Sequence, residues 1–455
     1  MWVPFYKKSF YDTISLIDID ITKTMHYNDI IKLLNLEYEN INFHKFDVTK
    51  KDDVTTVYIE LEKTDHSCPN CGSISVISHG FKEKIIKHSI VNYGPFIIKY
   101  KARRYICKDC KSTFFETSPF TFNTNNISKY TEMKVLEYLK SHTSTFTNVA
   151  KELNISITSV MKIFDDLVIT APVPYSEAIC IDEIYTNRLT KRKYCCVIMD
   201  FFSKKIVEIY PSRLKLDLIN NLDRLPKKER NIVKYVTIDM YEPYKQVAKL
   251  MFDDCIIAID SFHVMKHLND AMDIMRLKVM RRFDNGHAKL ENANMYYYML
   301  KKFHYFFTKN YDNIYEGKIN IGKMKCKWYK DDIRKYLLDI DEELKMAYQL
   351  KTDYQEFNYT AKFETCDEEL NELIDRFRSF SDESFRTFGR LLYHWREEIK
   401  NSFRFVNGRR LSNGAIENLN SRLKCIIKNA NGYRNFERFR KRCIYSINKE
   451  LIIKN

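Results

Sequence analysis

Along this chain the apolar residues switch between the helical period of about 3.6 and the strand period of 2, and each switch marks a new segment. Around Tyr27 to Leu36, DIIKLLNLE has helical spacing and predicts a short amphipathic helix. Alternation follows in VTTVYIELE from Val54 and again in IKYKARRYIC, predicting strands. From Ile127 to about Leu167 the period is helical, with Phe146–Leu153 as one helix, Asn154–Ser156 as a turn and Ile157–Phe164 as a second helix. Strand patterns return at Ala178. AICID, YCCVIMD, KIVEIYP, VKYVTID and CIIAID predict five strands, with helices over Leu216–Leu225 and Tyr244–Phe252 between the later ones. Between Asp260 and Ser412, about 150 residues carry aromatic clusters such as MYYYML and few turn signals, which is too much chain for a loop and predicts an all-helical insertion. A last helical pattern opens at SNGAIENLNSRLK.

The order of three strands, helix, strand, helix, strand fits an RNase H-like fold, in which the first and fourth strands lie adjacent and parallel. The expected class is multidomain α+β. Its segments are an N-terminal α/β piece (1–60), a zinc-ribbon module (61–120), a helix-turn-helix domain (125–170), the first part of an RNase H-like α/β core (175–270), the helical insertion (271–410), and the rest of the core (411–455). With 455 residues, burial does not limit the fold. A net charge of +15 and a pI near 9.0 point to a polyanionic partner, although a Lys-, Asn- and Ile-rich composition arises without one. The start, MWVPFYKKSFYD, has no long apolar region, and no run is long enough to span a bilayer, so a cytoplasmic protein is expected.

Chemistry concentrates in a few places. Cys68-Pro69-Asn70-Cys71 and Cys107-Lys108-Asp109-Cys110 are two CxxC knuckles, the ligand set of a tetrahedral structural Zn²⁺ site. His79 and His88 lie between them and are taken as surface residues. Lys99, Lys101, Arg103 and Arg104 alternate along a strand that can meet phosphates, and a solvated edge strand has the same pattern. In the second helix of the helix-turn-helix, Ser156, Thr158, Ser159 and Lys162 would face a major groove, although any short helical hairpin has this spacing. Three strands end Ile-Asp, at Asp182, Asp239 and Asp260, and the assumed fold sets Asp182 beside Asp239. Glu417 is a lone carboxylate at the start of a basic helix capped by Ser412 or Asn413, with Asn420 and Lys424 on its face at i+3 and i+7. Simple solvation explains Asn420 and Lys424 equally well. The closing RLKCIIKNANGYRNFERFRKR, with Arg434 and Arg438, suits tracking of a DNA backbone or the wet side of an amphipathic helix.

Taken together, CPNCG, RRYIC, the helix-turn-helix, IDE at Ile181–Glu183, TIDM at Thr237–Met240, DSFHVMKHLN from Asp260, and SNGAIENLNSRLK with GYRNFERFR resemble the ISL3 group of bacterial insertion-sequence transposases, in the wider DDE class. One departure is the compact second knuckle, where relatives often have a longer spacing. The resemblance implies a metal-binding triad of Asp182, Asp239 and Glu417 holding two Mg²⁺ ions, replaceable by Mn²⁺, for cleavage and joining of DNA strands. It implies double-stranded DNA as partner, both element ends and target, and a homodimer or larger synaptic assembly at the bacterial nucleoid. Asp260 and His263 form a DxxH pair expected to assist catalysis without ligating metal, while a packed core histidine fits as well. A DNA-binding regulator descended from such an enzyme, or a nuclease that does not join strands, are the alternatives.

Overall fold

In the computed structural model the described residues are Leu36, 41–89, 95–122, 126–186, 189, 192–284, 292–309, 317–449 and 452–453. Apart from Leu36, the helix expected around Tyr27 lies outside them. The chain divides into two compact units, Met1–Ile169 with Leu451–Asn455, and Thr170–Glu450.

Alternation builds the sheet of the first unit, from β1 (Asp47–Lys51), β2 (Val54–Ile59), β3 (Val76–Ser89), β4 (Pro95–Cys107) and β5 (Thr113–Phe115). The order is β1-β2-β4-β3 with β5 on β4, so IKYKARRYIC is a central strand and not an edge. Its buried positions Phe96, Ile98, Tyr100 and Ala102 join Val57 and Ile59 in one core. Three helices follow: α1 (Lys129–Leu139), α2 (Phe146–Glu152) and α3 (Ile157–Leu167). Each starts on a hydroxyl cap, with Ser128, Thr145 and Ser156 accepting from the backbone N–H of Thr131, Asn148 and Ser159. Asn154, at φ +51°, makes the turn between α2 and α3, a conformation that asparagine tolerates better than most residues. His88 is not a surface residue: it is 2% exposed, and its Nδ1 lies 2.8 Å from the Ser128 hydroxyl. Short strands β6 (Val168–Ile169) and β16 (Ile452–Ile453) pair in this unit.

The second unit is built on a sheet of β7 (Ala178–Tyr185), β8 (Tyr194–Asp200), β9 (Ile206–Tyr210), β10 (Tyr235–Ile238) and β11 (Ile256–Ile259), in the order β11-β10-β7-β8-β9. The first and fourth strands are adjacent and parallel, as expected, and β10 and β11 are also parallel. β7 runs three residues past Asp182, so this aspartate sits inside its strand and not at the end. Helices α4 (Lys215–Leu222), α5 (Lys227–Arg230) and α6 (Glu242–Met251) connect the later strands.

Both faces of β7 are apolar, and each meets a different layer. Ile179 and Ile181 enter a core with α6 and the segment after Asp260, while Ala178, Cys180 and Ile184 meet the chain after Ser412. That first segment runs α7 (Ser261–Arg281), α8 (Ala293–Lys302), α9 (Tyr305–Thr308), α10 (Lys330–Leu338), α11 (Glu342–Thr360), α12 (Cys366–Arg378), α13 (Glu383–His394) and α14 (Arg396–Asn401). The insertion is not all-helical. It contains the hairpin of β12 (Lys318–Ile321) and β13 (Cys326–Tyr329), and a second, β14 (Phe405–Val406) with β15 (Arg409–Arg410), ends it. The boundary expected at residue 270 falls inside α7. On the opposite face lie α15 (Gly414–Asn429) and α16 (Phe436–Asn448). Among the described residues, no helix is long and apolar enough to cross a membrane.

Close approach of α12 and α13 depends on Gly389, where a Cβ would fall 2.8 Å from the Arg378 backbone nitrogen and 2.9 Å from Phe377 Cβ. Alanine gains about 1 kcal/mol in helix propensity, but forcing two packed helices apart costs about 1–3 kcal/mol. Gly389→Ala is therefore expected to lower the unfolding temperature in a thermal melt. A rise would show that the two helices separate freely.

Candidate active site

Strand register is the first cause of the site. Thr237 pairs with Cys180 and Ile238 with Ile259, which brings Asp239 level with Asp182 on one side and Asp260 on the other. The second cause is α15, whose buried Ile416, Leu419, Leu423 and Ile426 dock on the sheet. That docking turns Glu417 and Asn420, each one residue along, toward the same edge. Asn420 is buried, not on the helix surface as expected, and its amide donates to Asp182 Oδ2 at 2.7 Å. Lys424 remains exposed, as does Arg434, while Arg438 is half-buried.

The residue that fixes these parts is Asn413. It stands at the N-cap of α15 without making a side-chain cap, and it is 0% exposed. Its side-chain oxygen accepts from the Thr237 hydroxyl, its amide donates to the Ile181 carbonyl at 3.4 Å, and its backbone N–H meets Asp260 Oδ1 at 3.4 Å. One asparagine thus links the segments carrying Asp182, Asp239, Asp260 and Glu417. From the sequence it was one of two candidate caps; two strand-borne partners far along the chain leave no local signal. Glu183, from the sequence only the reserve candidate for the third carboxylate, forms an ion pair at the same edge with Arg213, which sequence reasoning missed.

The carboxylates fall into two groups. Asp182, Glu183 and Asp239 can each bring an oxygen within 4.8 Å of the others, and so can Asp260, His263 and Glu417 with their ligand atoms. The triad implied by the sequence is therefore divided between two sets. His263 Nδ1 lies 3.5 Å from Asp260 Oδ2 and 3.9 Å from Glu417 Oε1. Asp239 Oδ1, Glu183 Oε2, Asp260 Oδ2, His263 Nδ1 and Asn420 Oδ1 are buried with no hydrogen-bond partner. Buried polar atoms normally find one, so such a group of acceptors fits a bound cation.

Electrostatics agrees. Burial pushes the Asp182 carboxyl up to about 6. Burial, followed by the charges of Glu183 and Asp182, raises Asp239 to about 7. Burial and the Asp260 carboxylate raise Glu417 to about 7. His263 is shifted upward, chiefly by Asp260. Beside this edge, a cavity of about 800 Å³ is lined by Phe262, Lys266, Lys309, Tyr359 and Arg410 among others, with Phe262 58% exposed.

In the first unit the four cysteines of the knuckles converge, with sulfurs within 4.8 Å of one another. Cys68 and Cys110 are 3.6 Å apart, and Cys71 and Cys107 are 3.7 Å apart. Tetrahedral thiolates at a Zn–S distance of about 2.3 Å would be about 3.8 Å apart, so the set fits zinc. The Ser112 hydroxyl holds the Cys110 thiol down at about 5, whereas Cys71 beside the other thiols is pushed up to about 12, so the geometry and not the titration carries the fit.

A family model described as a transposase, of the DDE group of ISL3 type, matches residues 179–443, more than half of the chain. The chain belongs to the ISL3 transposase family. A second model, the zinc finger of the transposases IS204, IS1001, IS1096 and IS1165, matches residues 64–110 of this transposase and contains all four cysteines. No curated protein matches the chain.

Of the residues expected to bind DNA, Thr158 and Lys162 are exposed on α3, and the Ser159 hydroxyl lies 2.8 Å from that of Ser156. Arg103 is engaged by Glu60 at 3.5 Å and Glu116 at 3.9 Å, and Arg104 donates to the Thr113 hydroxyl.

Folded-state values of about 6 to 7 lie above the ordinary carboxylate range, so these groups favour the fold when protonated. Cation-free protein should lose stability as pH rises from about 4 to 7. A divalent cation competes with those protons. Differential scanning fluorimetry with millimolar Mg²⁺ should therefore show a larger rise in unfolding temperature at pH 8 than at pH 5.5. An equal or larger rise at pH 5.5 would mean that Mg²⁺ binds elsewhere.

Proposed function

We propose that this transposase binds the terminal inverted repeats of its insertion sequence and cuts and joins DNA strands at the carboxylate edge of the second unit. The observation that carries this reading is the gathering of acids from separate parts of the chain into two adjoining sets, Asp182 and Asp239 with Glu183, and Glu417 with Asp260 and His263, with buried oxygens of Glu183, Asp239 and Asp260 left unpartnered. Packed acids of this kind have no use in a protein that only binds DNA. The sheet order supports an RNase H-like core.

Asp182, Asp239 and Glu417 would hold the Mg²⁺ ions, for which Mn²⁺ substitutes. A bound pair of such ions supplies Lewis-acid stabilisation of the charge that builds on phosphate oxygens, and lowers the pKa of an attacking hydroxyl. The protein's own residues keep the ligands in place. Asn420 fixes one oxygen of Asp182, Arg213 restrains Glu183, and Asn413 ties α15 to the strands. The neighbouring cavity, with Lys266, Lys309 and Arg410, gives room and positive charge for a DNA strand entering the centre. Lys424, Arg434 and Arg438 would follow the backbone. In the first unit, Thr158, Ser159 and Lys162 on α3 would read bases, at about 1–3 kcal/mol for each good contact. An element has two ends, so a dimer or larger assembly is expected.

The test is cleavage and strand transfer on a labelled terminal-repeat duplex, beside a gel shift with the same protein. Asp182→Asn, Asp239→Asn and Glu417→Gln keep side-chain size but each remove an anionic ligand, so DNA binding should survive while the rate falls roughly a thousandfold or more. Wild-type protein that binds the ends without cutting would be a regulator. One that cuts without joining would be a nuclease. A Glu417→Gln variant of normal rate would place the third carboxylate elsewhere, with Glu183 next in line.

A further inference from the structure

The DxxH pair was expected to act beside the metal centre without joining it, and the geometry points to a different role. We propose that Asp260 and His263, together with Glu417, form a cation half-site of mixed oxygen and nitrogen donors, distinct from the all-oxygen set of Asp182, Glu183 and Asp239. The proposal rests on the reading of this edge as a cation centre and specifies the ligands of one half of it.

Three observations carry it. First, Glu417 is grouped by distance with Asp260 and His263, not with Asp182 and Asp239. A cation about 2.1–2.2 Å from each donor can be shared by atoms up to about 4.4 Å apart, and His263 Nδ1 lies 3.5 and 3.9 Å from the two carboxylates. Second, the separations of His263 Nδ1 from the two carboxylates lie at or beyond the outer limit of a hydrogen bond, within the span that a shared cation bridges. Third, Asp260 is 2% exposed, yet its Oδ2 has no hydrogen-bond partner, and neither does His263 Nδ1. A histidine that only packed in the core, or only braced the helix, would be expected to spend Nδ1 on a nearby acceptor or donor.

The fold explains the pairing. Asp260 directly follows β11 and stands at the N-cap of α7 without making a side-chain cap; its Oδ1 meets the Asn413 backbone N–H, which leaves Oδ2 toward His263. His263 follows on the first turn of α7, on the side reached by Glu417 from the first turn of α15. Imidazole is a better ligand for transition metals than for Mg²⁺, whereas carboxylates suit Mg²⁺ and Mn²⁺ alike. The half-site containing His263 should therefore prefer Mn²⁺ over Mg²⁺, and the set around Asp239 should discriminate less.

Mn²⁺ alone, added to full-length protein labelled with ¹⁵N-histidine, is the probe. Pulsed electron paramagnetic resonance of the wild type should show one directly bound imidazole nitrogen. His263→Ala should abolish that coupling and weaken one class of Mn²⁺ site by at least the ~10–100-fold that follows loss of a supporting group around a metal. His267→Ala, one turn further along α7, should leave the coupling unchanged. Asp239→Asn should remove the other Mn²⁺ and spare the nitrogen signal. Mn²⁺ bound to the wild type without imidazole coupling, or with a coupling that persists in His263→Ala, overturns the proposal while leaving the cation centre intact. Failure of the wild type to bind Mn²⁺ at this edge would overturn both. The wild-type spectrum needs no variant, so a substitution that fails to fold does not block the answer.

Discussion

Like charges held together out of water are the constraint on which the second unit depends. Carboxylates that converge while buried either take up protons or acquire a counter-ion, and burial and mutual repulsion push Asp182, Asp239 and Glu417 above the ordinary carboxylate range. Among the described residues, no arginine or lysine forms an ion pair with Asp182, Asp239, Asp260 or Glu417, and Arg213 pairs with Glu183 at the margin of the group. The charge is therefore left for something that binds. Such a site is costly to build, and it persists only because the surrounding fold overdetermines it.

That overdetermination comes from packing on both faces of one sheet. One face of β7 is covered by α6, α7 and the helices that follow, the other by α15 and α16. Each layer delivers ionisable groups to the same edge, Asp260 and His263 from the start of α7 and Glu417 from the start of α15. Asn413 then joins the layers through Thr237, Ile181 and Asp260. The long insertion shares a hydrophobic core with the sheet, so it helps to set the position of α7. The zinc knuckles solve a simpler problem in the first unit, where four thiols meet at the end of a small sheet.

Elements with strong periodicity were legible in the sequence. Five strands were legible in the apolar runs, and the adjacency of Asp182 and Asp239 was expected from the RNase H-like fold assumed for them. The cysteine knuckles could be read from spacing alone. What escaped were features set by distant partners. IKYKARRYIC has the alternation of an edge strand but lies centrally, because β2 and β3 both pair with β4. His88 was read as exposed, yet the cap of α1 reaches back to cover it. Asn420 lies on a helix whose polar side resembles any solvated face, and only the docking of Ile416 and Leu419 turns it inward. The hairpin at Lys318–Tyr329 was lost among helical patterns because its strands are only four residues long. The grouping of Glu417 with Asp260 and His263 had no trace in the one-dimensional pattern, since it depends on how α15 lies across the sheet.

The central claim is that this edge of the sheet is held together by bound divalent cations and not by shared protons. A crystal grown with Mn²⁺ at pH 8, with anomalous diffraction collected at the manganese edge, tests it most directly. The expected result is anomalous density among Asp182, Asp239 and Glu417, with Asp260 and His263 in contact with it. An edge free of anomalous density, with the carboxylates paired to one another or to nearby side chains, would contradict the account.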